Sequence, residues 1–523
     1  MSSHHPLAVH LERGRELRLE DRLEESLQHF EAALRLDPGC ARAHAGYGGT
    51  LARLGQMSRA MEAYREALRI QPTQPRVYGA LANLYMEQGR ADRAAYCLRQ
   101  AVAQEPDDEI LRSNLLYTMN FDGATSPEEL FREHHEFGKR LGDLPALTPR
   151  WRPKRSLKVG YVSGDFCDHP VSYFFEPLLE NHRRRAFEVT LYSSTPNPDF
   201  VTSRLRHLAA HWRDVRADSD EALADIVRRD GIDILVDLAG HTSIARLGTF
   251  ARKPAPVQVS GIGYPNTTGL STIDYRITDE WADPPGMTER WHTEKLIRLP
   301  RGFNCFRAPD SSPAVTKAPC LRGGAITFGS CAKPAKWNQA VVQAWAEILR
   351  QVPGSRLLLH HSTAVGNQPH ILEDFLSHGI DPQRIAITGP LDWSAHWEWF
   401  HQLDLALDPF PYHGTTASCE TLWMGVPFVT LAGSTHVARV GVSLLTRIGL
   451  ERFVARTVGE YIALAVGLAA DPPSLANLRS GMRRRMRNSS LMDGSGYTRS
   501  LEDAYRKMWA EAGRGSTFRS TVE

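Results

Sequence analysis

The chain has 523 residues, of which 42% are hydrophobic and 23% are charged, a composition typical of folded globular proteins and not of disordered or collagen-like chains. The 62 Lys and Arg residues nearly balance the 60 Asp and Glu residues, and the resulting net charge of +2 argues against a general nucleic-acid or membrane binder. Seven scattered cysteines without a C-x-x-C spacing, no apolar run long enough to span a membrane, and no signal-peptide pattern predict a cytoplasmic protein with free thiols. At about 150 residues per domain, the length predicts three to four domains.

The first quarter of the chain repeats with a period of 34 residues, in which a proline closes each copy and small residues recur where paired helices would cross. This pattern predicts tetratricopeptide repeats, each a helix pair that buries its apolar face only against neighbouring copies. We place copies at 7–40, 41–74 and 75–108, and a further helix completes a repeat domain over 1–118. Such an array either offers a groove to a protein or peptide partner or only braces the next domain. The recurring residues are Ala33, Ala67 and Ala101 with Pro38, Pro72 and Pro106.

A helical linker is predicted over 119–153, where Ser126 and Glu129 have the spacing of a capping box at a helix start. Beyond the linker, short apolar runs alternate with amphipathic stretches, which predicts parallel strands covered by helices on both faces. Two such series, over 154–312 and 313–523, predict two doubly wound, Rossmann-like lobes, the second ending in a C-terminal helix. Ligands of such sheets bind at the carboxyl ends of the strands, so the segments that follow the strands are the candidates for a site.

Two polar segments follow predicted strands of the first lobe. One contains Asp165 and His169, and a histidine in this place could serve as a general base or bind an acceptor. The other contains His241 and Thr242 after Gly240, which allows a close approach of the backbone. Taken alone, each histidine is better explained as an ordinary residue, a loop imidazole bonded to a backbone carbonyl in the first segment and part of a turn in the second.

Two segments of the second lobe suggest a site for a nucleoside diphosphate. Lys336 follows the first strand of this lobe and could neutralise a leaving diphosphate, although solvated loop lysines are commoner. Over 408–427, a strand ends, a loop of glycine and hydroxyl residues follows, and a helix begins near Thr416. Free amide groups at such a helix start bind phosphate, and Glu420 lies one turn inside, where it could accept ribose hydroxyls. Plain capping by Thr416 or Ser418 is the alternative.

Repeats joined to such a double domain resemble the O-linked N-acetylglucosamine transferases, and the resemblance covers nearly the whole chain. It implies a two-lobed GT-B fold of the family 41 type, transfer from a nucleotide sugar with inversion, and no metal or other cofactor. The architecture is similar to bacterial members, because a short connection replaces the domain that animal members insert between the lobes. The matching segments are 158–170, 237–242, 254–258, 263–265 and 414–427.

The resemblance also implies roles for single residues. His169 matches an active-site histidine that acts as a base or in the acceptor site, and Lys336 matches a lysine that contacts the diphosphate and supports its departure. His396 matches a histidine beside the nucleotide, and Glu420 matches an acidic residue that holds ribose. The implied phosphate loop comprises Gly414, Thr415, Thr416, Ala417 and Ser418. The implied acceptor side of the cleft comprises Asp165, His241, Thr242 and Tyr264.

From these patterns we predict an enzyme that transfers N-acetylglucosamine from UDP-N-acetylglucosamine to Ser or Thr hydroxyls of proteins, which the repeats help to present. One alternative keeps the fold and changes the donor to GDP-fucose, which plant relatives with the same segments use. Trp393 stands where animal members have a lysine, so this chain and the animal members can differ in how they recognise the nucleotide base. A second alternative is a repeat-based adaptor whose transferase domain is inactive. The natural acceptor and the oligomeric state stay open.

Overall fold

The computed structural model describes residues 6–142, 144, 151, 154–242, 244–361 and 369–519. Among these residues, no helix combines the length and the apolar character that a membrane span requires. The chain divides into two compact units. The first comprises Met1–Ala124, Ala332–Ala346 and Leu358–Asp392, and the second comprises Thr125–Cys331, Glu347–Leu357 and Trp393–Glu523.

Paired helices form the N-terminal quarter, as the 34-residue period predicts. The small residues at the predicted helix crossings, Ala33, Ala67 and Ala101, are fully buried. Gly55 and Gly89 end the first helices of their pairs with φ of +73° and +67°, a left-handed conformation that glycine adopts without steric cost. The helices are α1 (Pro6–Leu19), α2 (Leu23–Leu36), α3 (Ala41–Arg53), α4 (Met57–Ile70), α5 (Pro75–Glu87), α6 (Ala91–Gln104) and α7 (Glu109–Met119).

Helix α8 (Pro127–Leu141) follows, capped by the Ser126 hydroxyl, which accepts the N–H of Glu129 as predicted. A seven-stranded sheet comes next, in the order β3-β2-β1-β4-β5-β6-β7, and its neighbouring strands pair in parallel. Its strands are β1 (Leu157–Ser163), β2 (Phe187–Ser193), β3 (His211–Asp214), β4 (Ile234–Asp237), β5 (Val257–Ser260), β6 (Tyr275–Thr278) and β7 (Lys295–Arg298). Its helices are α9 (Pro170–Asn181), α10 (Phe200–Leu208), α11 (Asp220–Asp230) and α12 (Leu247–Ala251).

The second sheet has six strands in the order β10-β9-β8-β11-β12-β13. Its strands are β8 (Thr327–Cys331), β9 (Arg356–His360), β10 (Ile385–Thr388), β11 (Leu405–Leu407), β12 (Phe428–Leu431) and β13 (Val454–Ala455). The helices of this lobe are α13 (Gln339–Gln351), α14 (Pro369–Ser377), α15 (Trp393–Trp399), α16 (Thr416–Trp423), α17 (Val440–Arg447), α18 (Val458–Ala469) and α19 (Pro472–Arg487). Repeat helices followed by two sheets of Rossmann-like type confirm the predicted fold class.

The last helix, α20 (Gly494–Arg519), packs back on the first lobe. Its residues Tyr497, Leu501 and Tyr505 belong to the same buried apolar cluster as β1 and α9. The buried Glu502 carboxylate accepts a hydrogen bond from the backbone N–H of Arg183, just beyond α9. Burial of this apolar face holds α20 on the first sheet, which carries the candidate acceptor residues. Helix α20 and this sheet both belong to the second compact unit.

Candidate active site

The loop 409–415, which joins β11 to α16, is held by the buried carboxylate of Asp408. Its Oδ1 atom accepts the N–H of Gly414 at 2.8 Å, and its Oδ2 atom accepts the hydroxyl of Thr430 at 2.7 Å. A Cβ atom placed on Gly414 would meet the Ser418 hydroxyl oxygen in the first turn of α16, so the loop lies close against the helix start. The loop and the helix start are therefore packed as one piece.

The buried ring of His413 fixes the same loop from its other side. Its Nδ1 atom accepts the backbone N–H of Gly441 at 3.0 Å, and its Nε2 atom lies 2.9 Å from the carbonyl oxygen of Leu431. A ring nitrogen that accepts an amide has no proton, so the neutral imidazole carries its proton on Nε2 and donates it to the carbonyl. His413 is thus a structural support of the loop.

Helix α16 begins at Thr416, as predicted, and its first amide groups are open. The N-cap residue is Thr415, and its side chain makes no capping hydrogen bond. The first amides of a helix have no acceptor within the helix itself. Within the described part of the chain, the N–H groups of Thr416, Ala417 and Ser418 have no hydrogen-bond acceptor. The capping by Thr416 or Ser418 that the sequence left as an alternative is therefore not observed.

His396 on α15 and Glu420 on α16, predicted from separate segments, lie side by side. His396 Nε2 is 3.4 Å from Glu420 Oε2, and the two side chains are 22% and 12% exposed. The edge of the His396 ring faces the ring of Phe400, with 5.5 Å between ring centroids. A packed imidazole beside a carboxylate that is still partly accessible provides an acceptor for ligand hydroxyl groups, next to the open helix start.

Lys336 lies in a short 3-10 turn, Pro334–Lys336, that follows β8. The side chain is half-buried, and the next residue, Trp337, is buried with its ring edge-on to His361. The Lys336 N–H donates to the Lys333 carbonyl, and the Trp337 N–H donates to the Pro334 carbonyl. The backbone of Lys336 is therefore ordered by hydrogen bonds within the turn and anchored by the buried Trp337 ring.

His169 and Asp165 lie close together just before α9, in the segment that follows β1. The His169 Nδ1 atom accepts the N–H of Val171 at 3.3 Å and so caps the helix, and it lies 3.8 Å from Asp165 Oδ2. The imidazole side chain is 41% exposed, whereas that of Asp165 is 12% exposed. In the neutral ring the proton then sits on Nε2, so the ring as placed here is a hydrogen-bond donor through that nitrogen.

Tyr173, one helical turn after His169, is a candidate site residue that the sequence reasoning missed. Its hydroxyl donates to Asp168 Oδ1 at 3.5 Å. Burial raises the pKa of Tyr173, and the carboxylates of Asp168 and Glu420 raise it further. The phenol of the first lobe is therefore within electrostatic range of Glu420 in the second. Its position four residues after His169 on one helix face was the available signal.

The structure differs from the prediction at His241 and Tyr264, because neither lines an open cleft. His241 is 1% exposed, its Nε2 atom lies 2.9 Å from the Thr268 carbonyl, and burial lowers its pKa well below the usual value. The Tyr264 hydroxyl lies 2.6 Å from His134 Nε2 on α8, and burial lowers the pKa of His134 to about 4. Thr242 donates its hydroxyl hydrogen bond within its own turn. These residues support the lobe beneath α8.

Comparison with known proteins places these features in a family. Residues 147–307 and 314–501 match the family described as glycosyl transferase family 41, and 17–84 and 51–116 match the tetratricopeptide repeat. The chain is similar to the solved structure of a mutant O-GlcNAc transferase from Thermobaculum terrenum, with a TM-score of 0.88 and 34% identity over 99% of this chain and 100% of that chain.

Two plant relatives match about three quarters of this chain. A probable UDP-N-acetylglucosamine–peptide N-acetylglucosaminyltransferase, SPINDLY of Oryza sativa subsp. japonica, is 43% identical over 418 residues, which cover 77% of this chain and 45% of that protein. A second probable UDP-N-acetylglucosamine–peptide N-acetylglucosaminyltransferase, SEC of Arabidopsis thaliana, is 33% identical over 387 residues, which cover 71% of this chain and 39% of that protein. The chain thus spans less than half the length of these relatives.

Proposed function

The chain belongs to glycosyl transferase family 41, and on this premise we propose that it is an inverting transferase that moves N-acetylglucosamine from UDP-N-acetylglucosamine to Ser or Thr hydroxyls of a protein. The observation that carries the proposal is the uncapped start of α16, with its free amide groups, beside the His396–Glu420 pair. The likeness to the Thermobaculum terrenum O-GlcNAc transferase and the activity named for the plant relatives support this choice of donor and acceptor.

The donor side works with fixed charge and backbone dipoles. The amides of Thr416, Ala417 and Ser418 point at the diphosphate, where the positive end of the helix dipole favours an anion. Lys336 supplies a full positive charge to the oxygen that leaves with UDP. Glu420 accepts the ribose hydroxyls, and His396 holds the carboxylate in place. With these groups, the proposed reaction needs no metal ion.

In the reaction, the acceptor hydroxyl oxygen forms a bond to C1 of the sugar on the face opposite UDP. The bond between C1 and the β-phosphate oxygen breaks, its electron pair leaves with UDP, and the acceptor loses its proton to the surroundings. While Nδ1 of His169 accepts the Val171 amide, Nε2 carries a proton and donates to the acceptor oxygen. His169 therefore orients the acceptor, and the repeats supply the surface that binds the acceptor polypeptide.

Replacing His169 with asparagine separates helix capping from catalysis. Asparagine is among the best N-cap residues, so we expect His169→Asn to keep the melting temperature within about 2 °C of the wild type. Loss of the imidazole leaves the acceptor hydroxyl misplaced and is expected to lower peptide transfer by about 100-fold, with unchanged affinity for UDP. The exposed His207 on α10 offers the matched control His207→Asn, which should transfer normally. Wild-type transfer by His169→Asn would remove His169 from the mechanism.

Titration calorimetry with UDP and with GDP, each in EDTA, tests the proposed donor. We expect UDP to bind at least tenfold more tightly than GDP, and EDTA to leave its affinity unchanged. Preference for GDP would favour the GDP-fucose alternative. Binding of neither nucleotide, together with no sugar transfer from UDP-N-acetylglucosamine to a Ser/Thr peptide by mass spectrometry, would favour the inactive adaptor.

A further inference from the structure

The turn between α5 and α6, in the third repeat, packs directly on the turn that carries Lys336. Both turns belong to the first compact unit. Gly89 in the repeat turn is buried, and a Cβ atom on it would lie 2.5 Å from the carbonyl oxygen of Trp337 and 3.2 Å from that of Pro334. Only a residue without a side chain allows this approach, and the two carbonyls that it meets stand on either side of Lys336.

Arg90, the residue after Gly89, ties the same repeat turn to α14. Arg90 Nη2 lies 2.9 and 3.0 Å from the two carboxylate oxygens of Asp374, and the two side chains are 25% and 22% exposed. Gly89 and Arg90 thus hold the repeat turn against the lobe, and a charge-assisted pair of this kind fixes geometry as well as adding energy.

The second repeat shows that the contact is not a property of the repeat pattern. Gly55 occupies the equivalent position 34 residues earlier with nearly the same φ, +73° against +67°, yet nothing lies within 4 Å of a Cβ atom placed on it. Gln56 stands where the third repeat has Arg90. The repeat explains why a glycine is present at both positions, and the packing on Pro334 and Trp337 is peculiar to Gly89.

We propose that the third-repeat turn, Gln88–Arg90, is a positioning element for Lys336. The Lys336 turn is short, its two amides donate within the turn, and the buried Trp337 ring holds one end. A side chain at position 89 that pushes on the carbonyls of Pro334 and Trp337 therefore displaces the backbone of Lys336, since the rest of the turn is held by hydrogen bonds and packing. The repeats then do more than bind an acceptor, because they also fix the position of the Lys336 ammonium group relative to the leaving UDP. This inference rests on the proposed function of Lys336.

The test compares Gly89→Ala with its matched control, Gly55→Ala. Both variants place alanine at positive φ, so both should lower the melting temperature, but only Gly89→Ala displaces the Lys336 turn. We expect Gly89→Ala to lower kcat for acceptor-free hydrolysis of UDP-N-acetylglucosamine at least tenfold, with less than a twofold change in KM. Gly55→Ala should keep the wild-type kcat. Because water is the acceptor in this assay, a defect in peptide binding to the repeats does not enter.

Arg90→Gln is the milder second variant, since it installs the residue of the second repeat and leaves Gly89 in place. We expect it to fold as the wild type does and to lower kcat about threefold. Unchanged kcat in both Gly89→Ala and Arg90→Gln, or an equal loss of kcat in Gly55→Ala, would overturn the inference.

Hydrogen exchange at the amides of Lys336 and Trp337 decides the inference without any sugar chemistry. We expect exchange at both amides to accelerate in Gly89→Ala and Arg90→Gln and to stay at the wild-type rate in Gly55→Ala. If the wild type neither transfers nor hydrolyses the donor, the proposed function fails, yet faster exchange would still show that the repeat turn holds the Lys336 turn. Unaltered exchange in both variants would overturn the positioning role by itself.

Discussion

Lys336→Ala is expected to lower kcat for transfer from UDP-N-acetylglucosamine by about 100- to 1,000-fold, the usual cost of removing one preorganised group that stabilises transition-state charge. The charge on the departing UDP develops as the bond to C1 breaks, so the ammonium group acts mainly on the transition state. The loss should therefore appear in kcat more than in KM for the donor. A coupled assay of UDP release with saturating peptide measures both constants.

Lys317→Ala is the matched control, because Lys317 is an exposed lysine of the same lobe that precedes β8. We expect its kcat and its melting temperature to equal those of the wild type. If Lys336→Ala retained kcat within threefold of the wild type, Lys336 would not stabilise the leaving group. Reduced donor binding with unchanged kcat would give Lys336 a role in ground-state binding only.

Gly414→Ala is expected to weaken UDP binding by about 10- to 100-fold, the equivalent of losing one charge-assisted hydrogen bond. A methyl group at this position would overlap Ser418 Oγ and would lie 3.3 Å from Asp408 Oδ1. The Ser418 hydroxyl must then turn away from the added methyl group, within the helix turn whose amides are proposed to bind the diphosphate. Titration calorimetry with UDP measures the affinity, and circular dichroism monitors the fold.

Gly467→Ala provides the control, because Gly467 lies within α18 of the same lobe and nothing lies within 4 Å of a Cβ atom placed there. Alanine in a helix interior is favoured over glycine by about 1 kcal/mol, so this variant should be at least as stable as the wild type and should bind UDP normally. Wild-type affinity in Gly414→Ala would mean that the loop before α16 does not hold the phosphates.

Strands with a continuous apolar run were predictable from the sequence, whereas strands without one were not. The apolar runs of the first lobe form β1, β2, β4, β5 and β6, but β3 and β7 at the two edges of the sheet were not predicted. In β3, His211, Arg213 and Asp214 are exposed, so the strand shows no apolar run. The two-residue strand β13 at the edge of the second sheet is too short to leave a pattern.

Site residues were predictable where their surroundings are local in the chain. The start of α16 at Thr416 follows from a strand, a glycine and hydroxyl loop and a helix in direct succession. The burial of His241 depends on α8, which lies about a hundred residues earlier and covers the loop by tertiary packing that no spacing reveals. Gly55 and Gly89 look alike in the repeat, and only the folded chain distinguishes the glycine that meets Trp337.

A crystal structure of the chain with UDP, grown in the presence of EDTA, tests most directly whether fixed charge and backbone dipoles alone hold the leaving group. We expect the diphosphate oxygens within hydrogen-bonding distance of the Thr416–Ser418 amides and of Lys336 Nζ, and the ribose hydroxyls on Glu420. A diphosphate bound away from both Lys336 and the start of α16, or one that occupies its site only when a divalent cation is added, would contradict this mechanism.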